Sequence, residues 1–501
     1  MNYFLDRMLP EERDLLHFIP TIPQYLSWIE HQWSDRPALV DVMDFSKSIT
    51  FSQMAHRIAC RRTTIGDLGL KTGAHIAIFD RNSIDAVESF LAVTSGGYVA
   101  VMLPAVLSAP ALEATCARFD VEAVLYGDEF ADIVVPLAEK GVRVLSVGTM
   151  AATPSPAVDV DKEQAAAIFF TGGTTGAPKG AVLPHRSLMR GAYNGTLREG
   201  PITRGGRYIC FLPLTHVFGM IRSTLSVLLE GSTWYSCEDM KPAISRIPMV
   251  KPTMLVLVPG IIEILLGLTQ MMGPQFLGGQ LKSIISGAAN VPPKQIEAFG
   301  KMGVSLLPGY GLTEGANFTT GNMDSLKYPT SIGQLYPGQE AKLVDDELWI
   351  RGDNLFTHYY KDPATTAASM TPDGWFRTGD LVRIDENGYF FVIGRIKNLI
   401  ILSNGENISP ESIEEKFYAF PEMRDCLVSE RVVDGISLIA IDILPQMKVF
   451  ENTPWEEVEN HFRKIVDEVN AQMPSQWHIS HVTVRKEDFK RTPSLKVARN
   501  Q

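Results

Sequence analysis

The feature that most restricts the fold is an alternation. Between residues 37 and 150, short apolar runs take turns with stretches of helical spacing. HIAIFD (75–80) reads as a strand and SIDAVESFLAVTSGG (83–97) as a helix. YVAVML follows as a strand, residues 109–119 as a helix and VEAVLYG as a strand. Strands joined through helices pair in parallel, so the rhythm predicts an α/β body with largely parallel sheet. It returns later as RYICFLPL, a helix near 219–230, TMLVLVP, a further helix and LKSIISG. Near residue 340 the character changes. KLVDDELWIRG and GYFFVIGR read as β-hairpin material, with ENG (386–388) as a turn. Beyond Arg395 the order is strand, helix (PESIEEKFYAF), strand, helix (PWEEVENHFRKIVDEVNAQM). That is compact α+β, roughly a hundred residues long and suited to a separate domain, with the boundary near GRIKN (394–398). A chain of 501 residues is in any case too long for one ordinary core.

Within this rhythm sits TGGTTGAPKG, Thr171 to Gly180, flanked by the apolar runs AAAIFF (165–170) and AVLP (181–184). Glycines let backbone N–H groups turn toward an anion without a Cβ in the way. The hydroxyls of Thr171, Thr174 and Thr175 can donate to phosphate oxygens, and Lys179 adds a mobile positive charge. A lone Gly-Thr run is more often a flexible turn, but a loop pinned between two apolar strands is not a loose tether. It is not the G-x-x-x-x-G-K-[ST] loop, because Pro178 precedes the lysine and Gly180 follows it. Nor is it a dinucleotide fingerprint, because no helix pattern opens inside it.

Composition narrows the partners. Apolar residues are 45% and charged residues 21% of the chain, an ordinary balance for a globular protein in water. A net charge of −11 without a long Lys/Arg run disfavours nucleic acid, so a phosphate must be attracted locally. The five cysteines (60, 116, 210, 237 and 426) show no C-x-x-C spacing. They read as reduced thiols of a cytoplasmic protein without a zinc site. The first residues, MNYFLDRMLPEERDLLHF, are too charged for a signal peptide. The apolar stretch 254–273 is interrupted by Pro259 and Glu263, and reads as strand, turn and core helix rather than a transmembrane span.

Five further stretches hold chemistry-bearing residues among small ones: PLTHVFGM with His216, SGAAN (286–290), LPGYGLTEG with Tyr310 and Glu314, DGWFRTGD with Asp380, and FKRTPSLKVAR with Lys496. Alone, each has an ordinary explanation: a core histidine, a helix cap, a turn aspartate, a solvated lysine. In this order and spacing they resemble the adenylate-forming enzymes. That superfamily holds the acyl- and aryl-CoA synthetases, the adenylation domains of peptide synthetases and firefly luciferase. The resemblance covers about residue 20 to Arg499. It rests most on TGGTTGAPKG, YGLTE, FRTGD with GRIKN, and TPSLK. The form TPSLK, with Leu495 where many relatives have glycine, is most like medium- or long-chain fatty acyl-CoA ligases.

The resemblance implies a two-step reaction. A carboxylate attacks the α-phosphorus of ATP, giving acyl-AMP and pyrophosphate, and a thiol then displaces AMP. It assigns Thr171, Thr174, Thr175 and Lys179 to the β- and γ-phosphates, and Glu314 to a magnesium ion. Thr313 would touch the α-phosphate. Tyr310 would lie against adenine, with Gly287, Ala288 and Ala289 flanking the base and the acyl pocket. Asp380 would accept from the ribose hydroxyls with Arg395 nearby. His216 would gate the carboxylate end of an acyl pocket where Gly219, Gly287, Gly309 and Gly311 leave room for a ring or chain. Lys496 would act on the carboxylate and α-phosphate in the first step, a contribution of about 3–4 kcal/mol for a positioned charge. The implied organisation is a large ATP- and acid-binding domain over 1–394, a hinge at 395–397 with Lys397 as its pivot, and a small mobile domain over 398–501. Gly405 would line the pantetheine channel.

Peptide-synthetase relatives commonly carry an aspartate shortly after the His216 position, pairing with an α-amino group. HVFGM offers none, which disfavours an amino-acid substrate. A fatty or other hydrophobic acid is favoured, an aryl acid next. Coenzyme A is the expected acceptor, with a carrier-protein phosphopantetheine as the alternative. A non-catalytic nucleotide sensor would lack Lys496, Glu314 or Asp380, and all three are present.

Overall fold

The computed structural model describes residues 20–171, 179–197, 205–401, 407–433, 436–491, 497 and 499. Local sequence signals set the first elements. Thr50 and Gln53 close a reciprocal cap on the helix Phe51–Gly66: Gln53 N donates to Thr50 Oγ1 at 3.2 Å and Thr50 N to Gln53 Oε1 at 2.9 Å. Ser83 caps Ile84–Ser95 by accepting from Ala86 N at 2.9 Å. Every residue of that helix from Ala86 to Ser95 is buried, as suits a helix covered on all sides.

The expected parallel sheet is present. Its seven strands lie in the order His358–Tyr359, Lys179–Pro184, Ala165–Thr171, Val99–Met102, His75–Phe79, Val121–Tyr126 and Arg143–Ser146. Ala165–Thr171 and the four strands beyond it run parallel, and the first two are antiparallel additions. A second sheet sets Met254–Leu257, Ser283–Ser286 and Ser305–Leu312 in parallel, then adds Asn317–Gly321 and Gln334–Leu335 antiparallel. The stretch 254–273 resolves into its strand and the helix Pro259–Met272, as expected. Among the described residues no helix is long and apolar enough to cross a membrane. All five cysteines are buried and none is in a disulfide.

The chain forms two compact units. The first holds residues 1–340, 350–376 and 387–389. The second holds 341–349, 377–386 and everything from Phe390. It therefore starts ahead of the boundary drawn from sequence at 394 and includes residues 395–397. Phe376–Ile384 and Phe390–Arg395 pair antiparallel around the expected ENG turn. Farther on, Met423–Val433 pairs antiparallel with Ile436–Pro445, which runs parallel to Ile479–Val484. The helices Pro410–Phe417 and Trp455–Asn470 contribute Ile413, Phe417, Phe462 and Val466 to the core of this unit.

Candidate active site

The phosphate-loop motif closes a hairpin whose end posts are Thr171 and Lys179, paired across the ladder. Thr174 and Thr175 lie outside the described residues. Gly180 turns out to serve packing: a Cβ there would lie 2.4 Å from the Phe119 ring and 2.8 Å from Ile168. The short strand His358–Tyr359 pairs with the second strand of the hairpin, setting Tyr359 opposite Ala181. Lys179 Nζ then lies 5.4 Å from the Tyr359 ring centre.

Tyr359 reaches the other way to Glu314, donating its hydroxyl to Oε1 at 2.6 Å. Glu314 sits in the tight turn Thr313–Gly315, between the antiparallel strands Ser305–Leu312 and Asn317–Gly321. Two hydrogen bonds pin the turn. Phe356 N donates to Glu314 O at 2.8 Å, and Asn354 Nδ2 donates to Gly315 O at 3.0 Å. Ala316 then takes a left-handed φ of 56°, a strained conformation for alanine. Burial and the neighbouring Glu314 carboxylate hold the Tyr359 phenol well above its ordinary pKa. Tyr359 is therefore a permanent donor that orients the carboxylate without neutralising it. Lys179, Tyr359 and Glu314 come from three distant stretches of chain.

A second constellation forms at the carboxyl ends of parallel strands, where α/β folds place ligands. Ser283–Ser286 leads into Gly287, Ala288 and Ala289, and Ala288 has φ 69°. Ser286 pairs with Pro308, which brings Gly309 and Tyr310 alongside. The Phe318 ring covers both glycines. A Cβ at Gly309 would lie 2.2 Å from it and one at Gly287 2.5 Å. Phe218, two residues after His216, lies against Phe318 with ring centres 4.9 Å apart.

The small residues have close neighbours on the side where a Cβ would stand, and at Gly287 and Gly309 that neighbour is the Phe318 ring. At Gly219 and Gly311 a Cβ would lie 2.0 Å from Pro213 O and 2.1 Å from Asn317 O, so backbone fills those spaces. His216 closes a turn that leads into the π-helical stretch Phe218–Leu225. Its N–H donates to Pro213 O and its carbonyl accepts from Gly219 and Met220. Burial lowers its pKa, favouring the neutral imidazole.

In the second unit, Asp380 and Arg395 face each other across paired strands and form an ion pair. Asp380 is 3% exposed, and its N–H donates to Thr378 Oγ1 at 3.1 Å. Lys397 stands exposed on the turn Ile396–Asn398. Gly405 and Lys496 lie outside the described residues. Sequence reasoning missed Tyr359, Phe218 and Phe318. No motif marks them, because each matters through a partner far away in the chain.

Comparison with known proteins gives matches over most of the chain. A family model described as AMP-binding enzyme matches residues 26–360, and one described as AMP-binding enzyme C-terminal domain matches 397–501. A probable CoA ligase, CCL5, from Humulus lupulus is 29% identical over 76% of this chain and 76% of its own. A feruloyl-CoA synthase from an Amycolatopsis species is 26% identical over 80% of this chain and 84% of its own. The ATP-bound crystal structure of MatB from Rhodopseudomonas palustris superposes with a TM-score of 0.83, covering 95% of this chain and 97% of that one. At 22% identity, that last likeness speaks for the fold alone.

Proposed function

The chain belongs to the family of AMP-binding enzymes, and from that premise we propose that it activates an aromatic or arylalkenoic carboxylic acid with ATP and passes the acyl group to coenzyme A. The observation that carries the reading is the Lys179–Tyr359–Glu314 arrangement at the mouth of the glycine loop. Lys179 supplies a cation for the β- and γ-phosphates. Beside it the Glu314 carboxylate accepts from the Tyr359 hydroxyl, and a carboxylate oxygen is a hard ligand suited to magnesium. The magnesium arrives with ATP and supplies charge neutralisation on the phosphates.

In the first step the acid's carboxylate oxygen bonds to the α-phosphorus while the bond to the bridging oxygen breaks, and pyrophosphate leaves. Lys179, with Thr171, Thr174 and Thr175, holds the departing phosphates. Thr313 and Lys496 act on the α-phosphate as negative charge builds there. Tyr310 and the Gly287–Ala289 turn hold adenine, and Asp380 with Arg395 the ribose. In the second step the thiol sulfur bonds to the acyl carbon, AMP leaves, and the thiol proton goes to solvent. Lys397 is the proposed hinge between steps and Gly405 the channel residue.

The aryl preference departs from the fatty acid favoured on sequence. Its support is the Phe218–Phe318 pair beside Gly287 and Gly309, which offers a flat apolar surface of the kind an aromatic ring packs against. The name of the feruloyl-CoA synthase relative points the same way. Pyrophosphate release with a panel of aryl, arylalkenoic and medium- or long-chain fatty acids tests it. Aryl acids should turn over fastest, and no AMP from any acid would sink the reading. Phe318→Ala should shift the preference toward longer acids by about tenfold in kcat/KM. Offering coenzyme A beside a holo-carrier protein decides the acceptor.

A further inference from the structure

Asn82 lies just past the carboxyl end of the strand His75–Phe79, directly before Ser83, the cap of the helix Ile84–Ser95. Its side chain holds backbone from another sheet. Nδ2 donates to Cys210 O at 3.1 Å and to Leu212 O at 2.8 Å, and Oδ1 accepts from Leu214 N at 3.0 Å. The Asn82 carbonyl accepts from Cys237 N at 3.2 Å. Cys210 and Cys237 lie just past Arg207–Ile209 and Thr233–Tyr235, strands that pair in parallel in a separate four-stranded sheet. An amide offers two N–H donors and an acceptor oxygen, and Asn82 turns both kinds to a segment about 130 positions later.

The place it holds is specific. Leu212 O and Leu214 N belong to the two peptide bonds on either side of Pro213. The Leu214 N–H shares one rigid peptide plane with the Pro213 carbonyl. That carbonyl accepts from His216 N at 3.1 Å, and it is the atom that a Cβ at Gly219 would meet. The His216 carbonyl in turn accepts from Gly219 N at 3.0 Å and Met220 N at 2.9 Å, which leads the chain into Phe218–Leu225. Phe218 then lies against Phe318. Pro213 has no N–H of its own to add and its side chain is exposed, so the tilt of these planes depends on outside partners.

We propose that Asn82 is a positioning residue of the acid site: by fixing the peptide planes that flank Pro213 it sets where His216 and the Phe218 ring stand. It never touches substrate. This inference rests on the proposed reading in which the acid packs against the Phe218–Phe318 pair. Lys179, Tyr310 and Glu314, assigned to the nucleotide and its magnesium, are carried by other elements. Loosening the turn should therefore weaken use of the acid and spare ATP.

The test uses full-length Asn82→Ala, Asn82→Asp and wild type. Pyrophosphate release gives KM for the best acid and for ATP, and hydrogen exchange reads the amides of His216, Gly219 and Met220. Asn82→Ala should raise KM for the acid about tenfold or more and leave KM for ATP within about twofold. The three amides should exchange about tenfold faster, with Ile84–Ser95 still protected. Asn82→Asp keeps the shape and the acceptor but sets a carboxylate against two carbonyls, so it should match Asn82→Ala. An aspartate variant that behaves as wild type, both KM values rising together, or an unchanged acid KM despite faster exchange overturns the positioning role. Unchanged exchange overturns the tether itself. Should Asn82→Ala fail to fold, Asn82→Asp decides alone, and loss of folding in both overturns the positioning role in favour of a structural one. A wild type inert toward every acid sinks the functional reading instead, and exchange then decides the tether.

Discussion

Glu314 and Glu414 are both carboxylates held by a side-chain donor, and the donors differ in charge. Tyr359 gives Glu314 a neutral hydroxyl, while Arg499 gives Glu414 a guanidinium. A neutral donor orients a carboxylate without bringing a charge to it. A cationic donor offsets the carboxylate's charge, and what remains is a joint. Burial follows the same division. Glu314 is half-buried, on a turn between strands, whereas Glu414 is nearly enclosed beneath an outer strand. The same residue type thus accepts from a neutral donor in one place and from a cation in the other.

The sharpest way to break this contrast is Glu314→Gln. It should lower adenylation by about 10²–10³-fold, as loss of a transition-state group does. The melting temperature should stay within a few degrees, as for a substitution outside the core. A large loss of stability with modest loss of rate would make Glu314 a joint too. Tyr359→Phe comes next, with an expected fall of about tenfold, appearing mainly as a higher magnesium requirement. An unchanged magnesium dependence would mean that the phenol does not orient the carboxylate.

The smallest effect concerns pH. Burial pushes Glu414 up to about 7 against a partly opposing Arg499, above its value of 4.5 in an unfolded chain. The folded state therefore keeps this proton longer. The group's contribution to stability is full below about pH 4.5 and is lost as pH rises through about 7. Glu414→Gln should flatten that part of the profile, read as melting temperature across the window. Identical slopes in variant and wild type would show that Glu414 is not the titrating group.

The two carboxylates were not equally legible in the sequence. Glu314 stands in YGLTEG, a motif of small residues around one acid, and reads as a site residue once the other motifs are found in order along the chain. Its partner does not. Tyr359 lies in a two-residue strand with no periodicity to reveal it, and meets the hairpin through pairing with residues more than 170 positions earlier. The alternation of strands and helices was readable because each element carries its own spacing. The second unit's capture of residues 341–349 and 377–386 was not, because it depends on which strands pair. The glycines show the same limit. Their smallness is visible in sequence, but whether it admits a substrate or the Phe318 ring is settled by what folds against them.

The ring that Glu414 and Arg499 close around Val428 has a consequence for association. A strand margin whose amide and carbonyl are occupied by Glu414 and Arg499 offers nothing there for another molecule to zip onto. The cover comes from two places in the chain, so losing the Arg499 guanidinium would free the carbonyl while Glu414 still holds the amide.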